Sequence, residues 1–210
     1  MSLRRDLHAA ARDAGVSDPR LLEAIQRTPR REFVPPEYAE DADIDEPVPI
    51  PHQQVTSQPS LSARMIDALE LRGDGQVLEV GTGYGYQTAL LARLAKQVVS
   101  IERFGSLAEA ARANLARHGT ANVQVVTGDG TQGWPAAAPY DAILVSAAFP
   151  VVPPPLVEQL VEGGRLVQPI GSGGAEEVIL FGRTADGLQR LRKVSPARFV
   201  RLTGRHGFAD

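Results

Sequence analysis

The sequence predicts an α/β fold: a doubly wound, mostly parallel sheet with an N-terminal helical extension and C-terminal antiparallel strands. Three observations carry this. From residue 76 onward, short apolar runs alternate with amphipathic stretches at helical spacing, the pattern of a parallel sheet covered on both faces. The run Val77-Leu78-Glu79-Val80 passes straight into Gly81-Thr82-Gly83-Tyr84-Gly85, three glycines spaced two apart. A second apolar run ends in Glu102, the acid expected after the second strand of a nucleotide-type cofactor site.

The elements follow in chain order. Leu3, Leu7, Ala10, Ala11 and Ala14 recur at helical spacing and Gly15 is the stop. Asp18-Pro19 reads as N-cap and first-turn proline of a second helix carrying Leu21, Leu22 and Ile25. From Pro29 to Pro51 proline and acids dominate with no sustained period, which predicts an ordered loop wrapped on the main body and anchored by Phe33, Val34, Tyr38, Val48 and Ile50. Pro59 starts a helix through Leu61, Met65, Ala68 and Leu69, ended by Gly73-Asp74-Gly75.

Strands are expected at 76–80, 97–102, 123–127, 140–145 and 165–170, with helices between them. The helix after the glycines places Tyr86, Leu90, Leu91 and Leu94 on one side, and the next uses Leu107, Ala111 and Leu115. Beyond Gly171-Ser172-Gly173-Gly174, residues 178–182 and 188–194 form two strands, antiparallel because only a short turn around Asp186-Gly187 separates them. A chain of this size buries roughly 70% of its unfolded surface, which suits one domain. Residues 1–75 supply its helices and wrapping loop, 76–170 the cofactor-binding core and 171–210 the final strands and tail.

Composition narrows the function. Cysteine is absent, which removes disulfides, thiolate nucleophiles and thiolate metal sites. His8, His52, His118 and His206 lie far apart without ligand spacing, so no metal is expected. A net charge of -3 argues against general nucleic-acid affinity. No apolar run approaches the ~20 residues of a membrane helix and the N-terminus does not read as a signal peptide, so a cytoplasmic location is expected. A monomer is expected, although no sequence feature sets the oligomeric state. An acidic stretch from Glu37 to Glu46 and a basic one from Arg190 to Arg205 read as solvated faces, with docking of an anionic polypeptide as the alternative.

The glycine loop carries the chemistry. A ribose and a charged tail approach a strand-to-helix turn only where no Cβ intervenes. Dinucleotide sites use Gly-x-Gly-x-x-Gly, whereas this spacing is Gly-x-Gly-x-Gly with Glu79 two residues ahead. A carboxylate beside the loop repels a diphosphate and suits a cation, which favours S-adenosylmethionine over NAD. The plainer reading is that the glycines form only a tight turn and Glu79 is an ordinary loop acid. Glu102 is placed to accept from both ribose hydroxyls, or is a surface acid paired with Arg103. Asp129, ahead of Gly130, would accept from an adenine amino group, or belongs to a common Asp-Gly turn.

The chain resembles the protein-L-isoaspartate O-methyltransferases, S-adenosylmethionine-dependent enzymes of the class I Rossmann-like group that esterify the abnormal carboxylate of isoaspartyl residues. The resemblance rests on Pro29-Arg30-Arg31-Glu32-Phe33-Val34-Pro35, Thr56-Ser57-Gln58-Pro59, the segment from Glu79 to Thr88, Ser100-Ile101-Glu102-Arg103, Gly128-Asp129-Gly130, Pro139-Tyr140-Asp141-Ala142-Ile143 and Arg198-Phe199-Val200-Arg201-Leu202-Thr203. It implies S-adenosyl-L-methionine as cofactor, S-adenosyl-L-homocysteine as product and isoaspartyl proteins or peptides as partners. It places Ser57 at the active site, the backbone of Val55 and Thr56 against cofactor and substrate, Tyr84 and Arg103 beside the cofactor, and Thr203 at the C-terminal wall. Gly81, Thr82, Gly83, Gly85, Glu102, Asp129 and Gly130 complete the implied cofactor site. From the residues alone, Ser57 reads equally as a helix-start serine ahead of Pro59.

Where the family has Gly-x-Gly-Gln-Thr-Ile-Ser, this chain reads Pro51-His52-Gln53-Gln54-Val55-Thr56-Ser57, and the aromatic or histidine that often follows the proline is Ser60. The change stiffens the loop and bears on the peptide side. A carboxylate acceptor is already ionised at neutral pH, so methyl transfer needs alignment and exclusion of water and no general base. The resemblance further implies that the ester closes to a succinimide unaided and that hydrolysis returns some aspartate. Alternatives are a carboxyl methyltransferase acting on another peptide or small molecule, and a non-catalytic S-adenosylmethionine-binding homologue. Amino methylation of nucleic acid is disfavoured by Ser146-Ala147-Ala148-Phe149, where such enzymes carry Asp/Asn-Pro-Pro-aromatic.

Overall fold

The computed structural model describes residues 6–209, so Leu3 of the first expected helix lies outside the described residues. Asp6 caps α1 (Leu7–Asp13) by accepting from the His8 amide, and Gly15 follows in a left-handed conformation. Asp18 caps α2 (Pro19–Arg27) by accepting from the Arg20 amide at 2.8 Å, with Pro19 at its first turn as expected. Two 3₁₀ turns follow, at Arg30–Phe33 and Pro36–Tyr38.

The wrapping loop ends in a feature its sequence does not announce, a small antiparallel hairpin of β1 (Val48–Ile50) and β2 (Gln54–Thr56). His52 and Gln53 at its turn have φ of 63° and 57°, and the Gln54 amide reaches Pro51 O at 3.4 Å. Two positive φ values are what this turn demands, usually met by Asn-Gly, so the His-Gln pair hid it. Helix α3 (Pro59–Ala68) leads to β3 (Gln76–Val80), and the chain then alternates through α4 (Tyr86–Ala92), β4 (Gln97–Glu102), α5 (Gly105–Arg117), β5 (Val123–Thr127) and β6 (Tyr140–Val145). Short α6 (Pro154–Glu158) precedes β7 (Leu160–Ile170), which begins five residues before the expected start, and β8 (Glu176–Thr184) and β9 (Gly187–Ala197) close the sheet. Helix α4 stops at Ala92, yet Leu94 is still buried beyond it.

The seven strands lie in the order β5-β4-β3-β6-β7-β8-β9, parallel from β5 to β7 and antiparallel at β7-β8 and β8-β9. Alternation sorts the strand residues. Val77, Val98, Ala142 and Leu144 face one core with Leu21, Phe33, Met65, Leu90 and Leu91. Leu78, Val80, Val99, Ile101, Ile143 and Val145 face the other with Tyr140, Leu156 and Leu160. Chain order reverses direction between β3 and β6, and ligands of open α/β sheets bind in the crevice that opens there. The glycine loop leaves β3 at this point: the Gly81 amide still bonds to Ile101 O at 2.8 Å, while the Ser146 amide turns to Val80 O at 2.9 Å.

Candidate active site

The glycine loop is built by backbone conformation first. Gly81, Gly83 and Gly85 have φ of 95°, 56° and 92°, a region that L side chains rarely enter, and Gly85 hands the chain to α4 from that conformation. A Cβ on Gly81 would lie 3.3 Å from Ser146 Cβ, so side chains there would crowd the crevice.

Glu102 ends β4 beside this loop. One carboxylate oxygen accepts from the Gly83 amide at 2.9 Å and the other from the Phe104 amide at 3.1 Å. These bonds fix an anionic group against the loop while leaving lone pairs free. Thr82 Oγ1 and Ser100 Oγ lie 2.6 Å apart and tie the loop to the neighbouring strand.

The crevice encloses a space of about 900 Å³ with its open mouth included. Of the residues proposed from sequence, Val55, Thr56, Ser57, Gly81, Thr82, Gly83, Tyr84, Gly85, Glu102, Arg103, Gly130 and Thr203 all line it. The sheet end, the hairpin and the tail after β9 thus meet around one space. Gly130 leaves no room for more, because a Cβ there would meet Val80 Cγ1 at 2.3 Å.

Two proposed residues do not line it. Glu79 shares the face of Val77, so strand alternation turns its side chain under α4, away from the crevice. It is fully buried and accepts from Gln87 Nε2 at 3.0 Å, Thr88 Oγ1 at 2.5 Å and Ser100 Oγ at 2.6 Å. Burial pushes its pKa up to about 7 against the pull of those three bonds, so it is no exposed, fully charged acid beside the loop. The reading of Glu79 as a direct cofactor contact is corrected accordingly: it holds the loop from behind. Gln87 is the link, since its Nε2 also donates to Ser146 Oγ at 2.9 Å and its side chain lines the cavity.

Asp129 is likewise committed. Its oxygens accept from the Thr131 amide at 2.9 Å, Thr131 Oγ1 at 2.7 Å and the Arg205 amide at 2.8 Å. Burial works against its charge, but the Arg205 amide and the Thr131 donors hold its pKa below the ordinary value. It fastens the C-terminal tail, and a Cβ on Gly204 would meet Oδ1 at 2.1 Å. Asp129 itself borders a groove with Gly128 and Arg205 that adjoins the cavity and shares Arg103 and Thr203 with it.

Ser57 is positioned by residues the sequence did not single out. The helix-start alternative fails, because Asp45 from the wrapping loop accepts from the Ser60 amide at 2.8 Å and from Gln58 Nε2 at 2.9 Å. No described residue bonds to the Ser57 hydroxyl, which lines the cavity. Beneath it lies Arg30, 1% exposed, whose guanidinium donates to Ile44 O at 3.0 Å, Glu46 O at 2.8 Å and Thr56 Oγ1 at 2.9 Å. One planar fork therefore gathers the loop into the strand that presents Ser57.

Residues 2–207 match the sequence profile of the family described as protein-L-isoaspartate(D-aspartate) O-methyltransferase. The chain belongs to this family. It is 48% identical over 206 residues to the protein-L-isoaspartate O-methyltransferase of Methanoregula boonei, covering 98% of this chain and 93% of that one. It is 51% identical over 191 residues to the enzyme of the same name from Anaeromyxobacter dehalogenans, covering 90% and 91%. A solved protein-L-isoaspartate O-methyltransferase structure superposes with a TM-score of 0.84 at 31% identity, covering 98% of this chain and 67% of that one. A beta-aspartate methyltransferase of Plasmodium falciparum, crystallised with S-adenosyl-L-homocysteine, shares the fold with a TM-score of 0.76 at 24% identity, over 94% of this chain and 96% of that one.

As a member of the isoaspartate methyltransferase family, the chain adds lining residues that sequence reading passed over. Ile50 and Gln54 come from the hairpin, Tyr86 and Gln87 from α4, Ser146 from beyond β6, and Arg201 and Leu202 from the tail. Ser146 follows a strand beside the switch point, where ligands of such sheets bind, and Arg201 and Leu202 stand in the family motif, but none of them was assigned a role in the site from sequence. The tail is brought in by pairing, with the Ala148 amide to Val200 O and the Leu202 amide to Ala148 O both at 2.8 Å. Among the described residues, no helix is long and apolar enough to cross a membrane.

Proposed function

We propose that this chain is an S-adenosylmethionine-dependent protein-L-isoaspartate O-methyltransferase in which the glycine loop and Glu102 hold the methyl donor and Ser57 meets the acceptor carboxylate. The observation that carries this reading is that all three line one cavity at the switch point of the sheet. The residues fit the donor. Glu102 offers free lone pairs for two ribose hydroxyls, and the buried Oε1 of Gln87 has no partner of its own, as an ammonium-bearing ligand requires. When bound, S-adenosylmethionine supplies an electrophilic methyl on a sulfonium.

The acceptor side continues from the same cavity. Val55, Ser57, Ser146 and Val200 also border a neighbouring groove with Leu61, Arg64, Arg198 and Phe199. Among the described residues, neither histidine nor lysine lines the donor cavity, which suits an acceptor that needs no base. A carboxylate near pKa ~4 arrives ionised. The Ser57 hydroxyl donates to one acceptor oxygen and aims the other at the methyl; the new O–CH₃ bond forms as the S–CH₃ bond breaks, leaving a neutral ester and a thioether. The apolar walls and the hairpin exclude water, so alignment supplies most of the rate.

Glu79 changes the electrostatic argument without changing the donor. Its partly protonated, shielded carboxyl leaves Glu102 as the anionic group that lines the cavity. A diphosphate would meet that charge at close range.

The test is methyl transfer from labelled S-adenosylmethionine to paired peptides that differ only in an aspartyl or isoaspartyl linkage. Label is expected on the isoaspartyl member alone. Equal labelling of both would indicate a general carboxyl methyltransferase, and tight cofactor binding with no transfer would indicate a non-catalytic binder.

A further inference from the structure

We propose that His52 is a positioning residue that latches the β1-β2 hairpin over the donor cavity and slows exit from it. This rests on the donor occupying the cavity as proposed above. The His52 ring stacks on Phe104 with centroids 4.3 Å apart and planes at 1°. His52 Nε2 also lies 2.7 Å from Ser106 Oγ, in the first turn of α5. Both contacts reach from the hairpin turn to the segment just after Glu102, and so tie together two elements that line the cavity.

The latched elements are the ones that enclose the site. Ile50, Gln54 and Thr56 of the hairpin line the cavity from one side, and Phe104 lines it from the other. Ile50 Cδ1 lies 3.6 Å from the position a Cβ on Gly83 would take, so the hairpin packs directly on the glycine loop. Phe104 is also the residue whose amide holds the Glu102 carboxylate at 3.1 Å, and the Arg103 guanidinium lies 5.0 Å from its ring centroid. The stack therefore joins the hairpin to the ribose-binding acid through one residue.

The turn's backbone shows that the contacts are needed. His52 and Gln53 are non-glycine residues at positive φ, which L side chains adopt reluctantly. A glycine-bearing turn would close with no such penalty but would have no ring to stack. Here an exposed histidine offsets the backbone cost through two contacts to a different element, so the turn is held closed by its tip.

The experiment measures release of S-adenosylhomocysteine in stopped flow from wild type, His52→Ala, Ser106→Ala and Gln53→Gly, together with amide exchange of residues 48–56 in the free protein. His52→Ala removes ring and hydrogen bond and is expected to speed release about three- to tenfold, from a stack and an exposed hydrogen bond lost together. Ser106→Ala removes the bond alone and is expected to speed it about two- to threefold. Gln53→Gly relieves strain with the latch intact and should release no faster than wild type. Amide exchange in the hairpin should rise in the same order in the free protein, a readout independent of catalysis. Release and exchange unchanged in His52→Ala would overturn the latch. Failure of wild type to bind S-adenosylhomocysteine would instead overturn the assignment of the cavity.

Discussion

Arg30 donates from Nη2 to Thr56 Oγ1 at 2.9 Å, so the buried guanidinium grips the residue next to Ser57. The same side chain satisfies carbonyls at Ile44 and Glu46, and Thr56 Oγ1 in turn accepts from the Val48 amide at 3.2 Å. The wrapping loop, the hairpin and the start of α3 are therefore one hydrogen-bonded unit with Arg30 at its centre.

Arg30→Lys keeps the charge but replaces a planar fork with a point donor that cannot span these acceptors. We expect a loss of about 2–4 kcal/mol, the range for breaking a buried polar network. In a domain of this size that lowers Tm by roughly 5–10 °C in calorimetry. A variant melting with wild type would show that the fork holds nothing.

Ser57→Ala separates catalysis from stability. The hydroxyl has no partner among the described residues, so Tm should stay within about 1 °C and S-adenosylhomocysteine affinity within about twofold. The specificity constant for an isoaspartyl peptide should fall roughly 10- to 100-fold, the worth of one hydrogen bond to a charged acceptor. Steady-state kinetics beside calorimetric titration checks both halves, and a kinetic loss matched by an equal loss of cofactor affinity would move Ser57 to the donor side.

Glu102→Gln keeps the shape and removes the charge. Hydrogen bonds to ribose weaken and one backbone amide loses its acceptor, so S-adenosylhomocysteine should bind about 10- to 100-fold more weakly by titration calorimetry. Unchanged affinity would mean that the ribose lies elsewhere.

Glu79 gives a pH signature. Its folded pKa is raised, from 4.5 to about 7, so the native state holds a proton that the unfolded chain releases between those values. Its contribution is therefore most favourable at or below pH 4.5, is lost as pH rises toward 7, and stays lost above it. The size is about 3 kcal/mol by the shift alone. Glu79→Gln removes this titration, so the difference in stability between variant and wild type should change by that order between pH 5 and 7.5. Denaturant melts across this window test it; parallel curves would mean that Glu79 titrates normally.

The sheet was legible because its strands are short apolar runs bounded by turn residues, and the first four parallel strands match their expected bounds. The early start of β7 was not legible because Gly163-Gly164 reads as a break; Leu160 pairs with Tyr140, and the ladder resumes at Arg165 only after an irregularity in which Gly163 has a φ of 80°. The hairpin was hidden by a turn without glycine. Glu79 was misread because an acid beside a glycine loop looks exposed in one dimension, while alternation and a covering helix bury it. The tie of Asp129 to the tail was not legible because its partner amide at Arg205 lies 76 residues away in sequence. Arg30 stood in a family motif with no hint of burial, since an arginine is ordinarily read as surface.

The central claim is that methyl donor and acceptor meet between the glycine loop and Ser57. A crystal structure with S-adenosylhomocysteine and an isoaspartyl peptide tests it most directly. The account predicts ribose hydroxyls on Glu102 and an isoaspartyl carboxylate oxygen within hydrogen-bonding distance of Ser57 Oγ, facing the sulfur. A nucleoside bound elsewhere, or a peptide carboxylate seated away from Ser57, would contradict it.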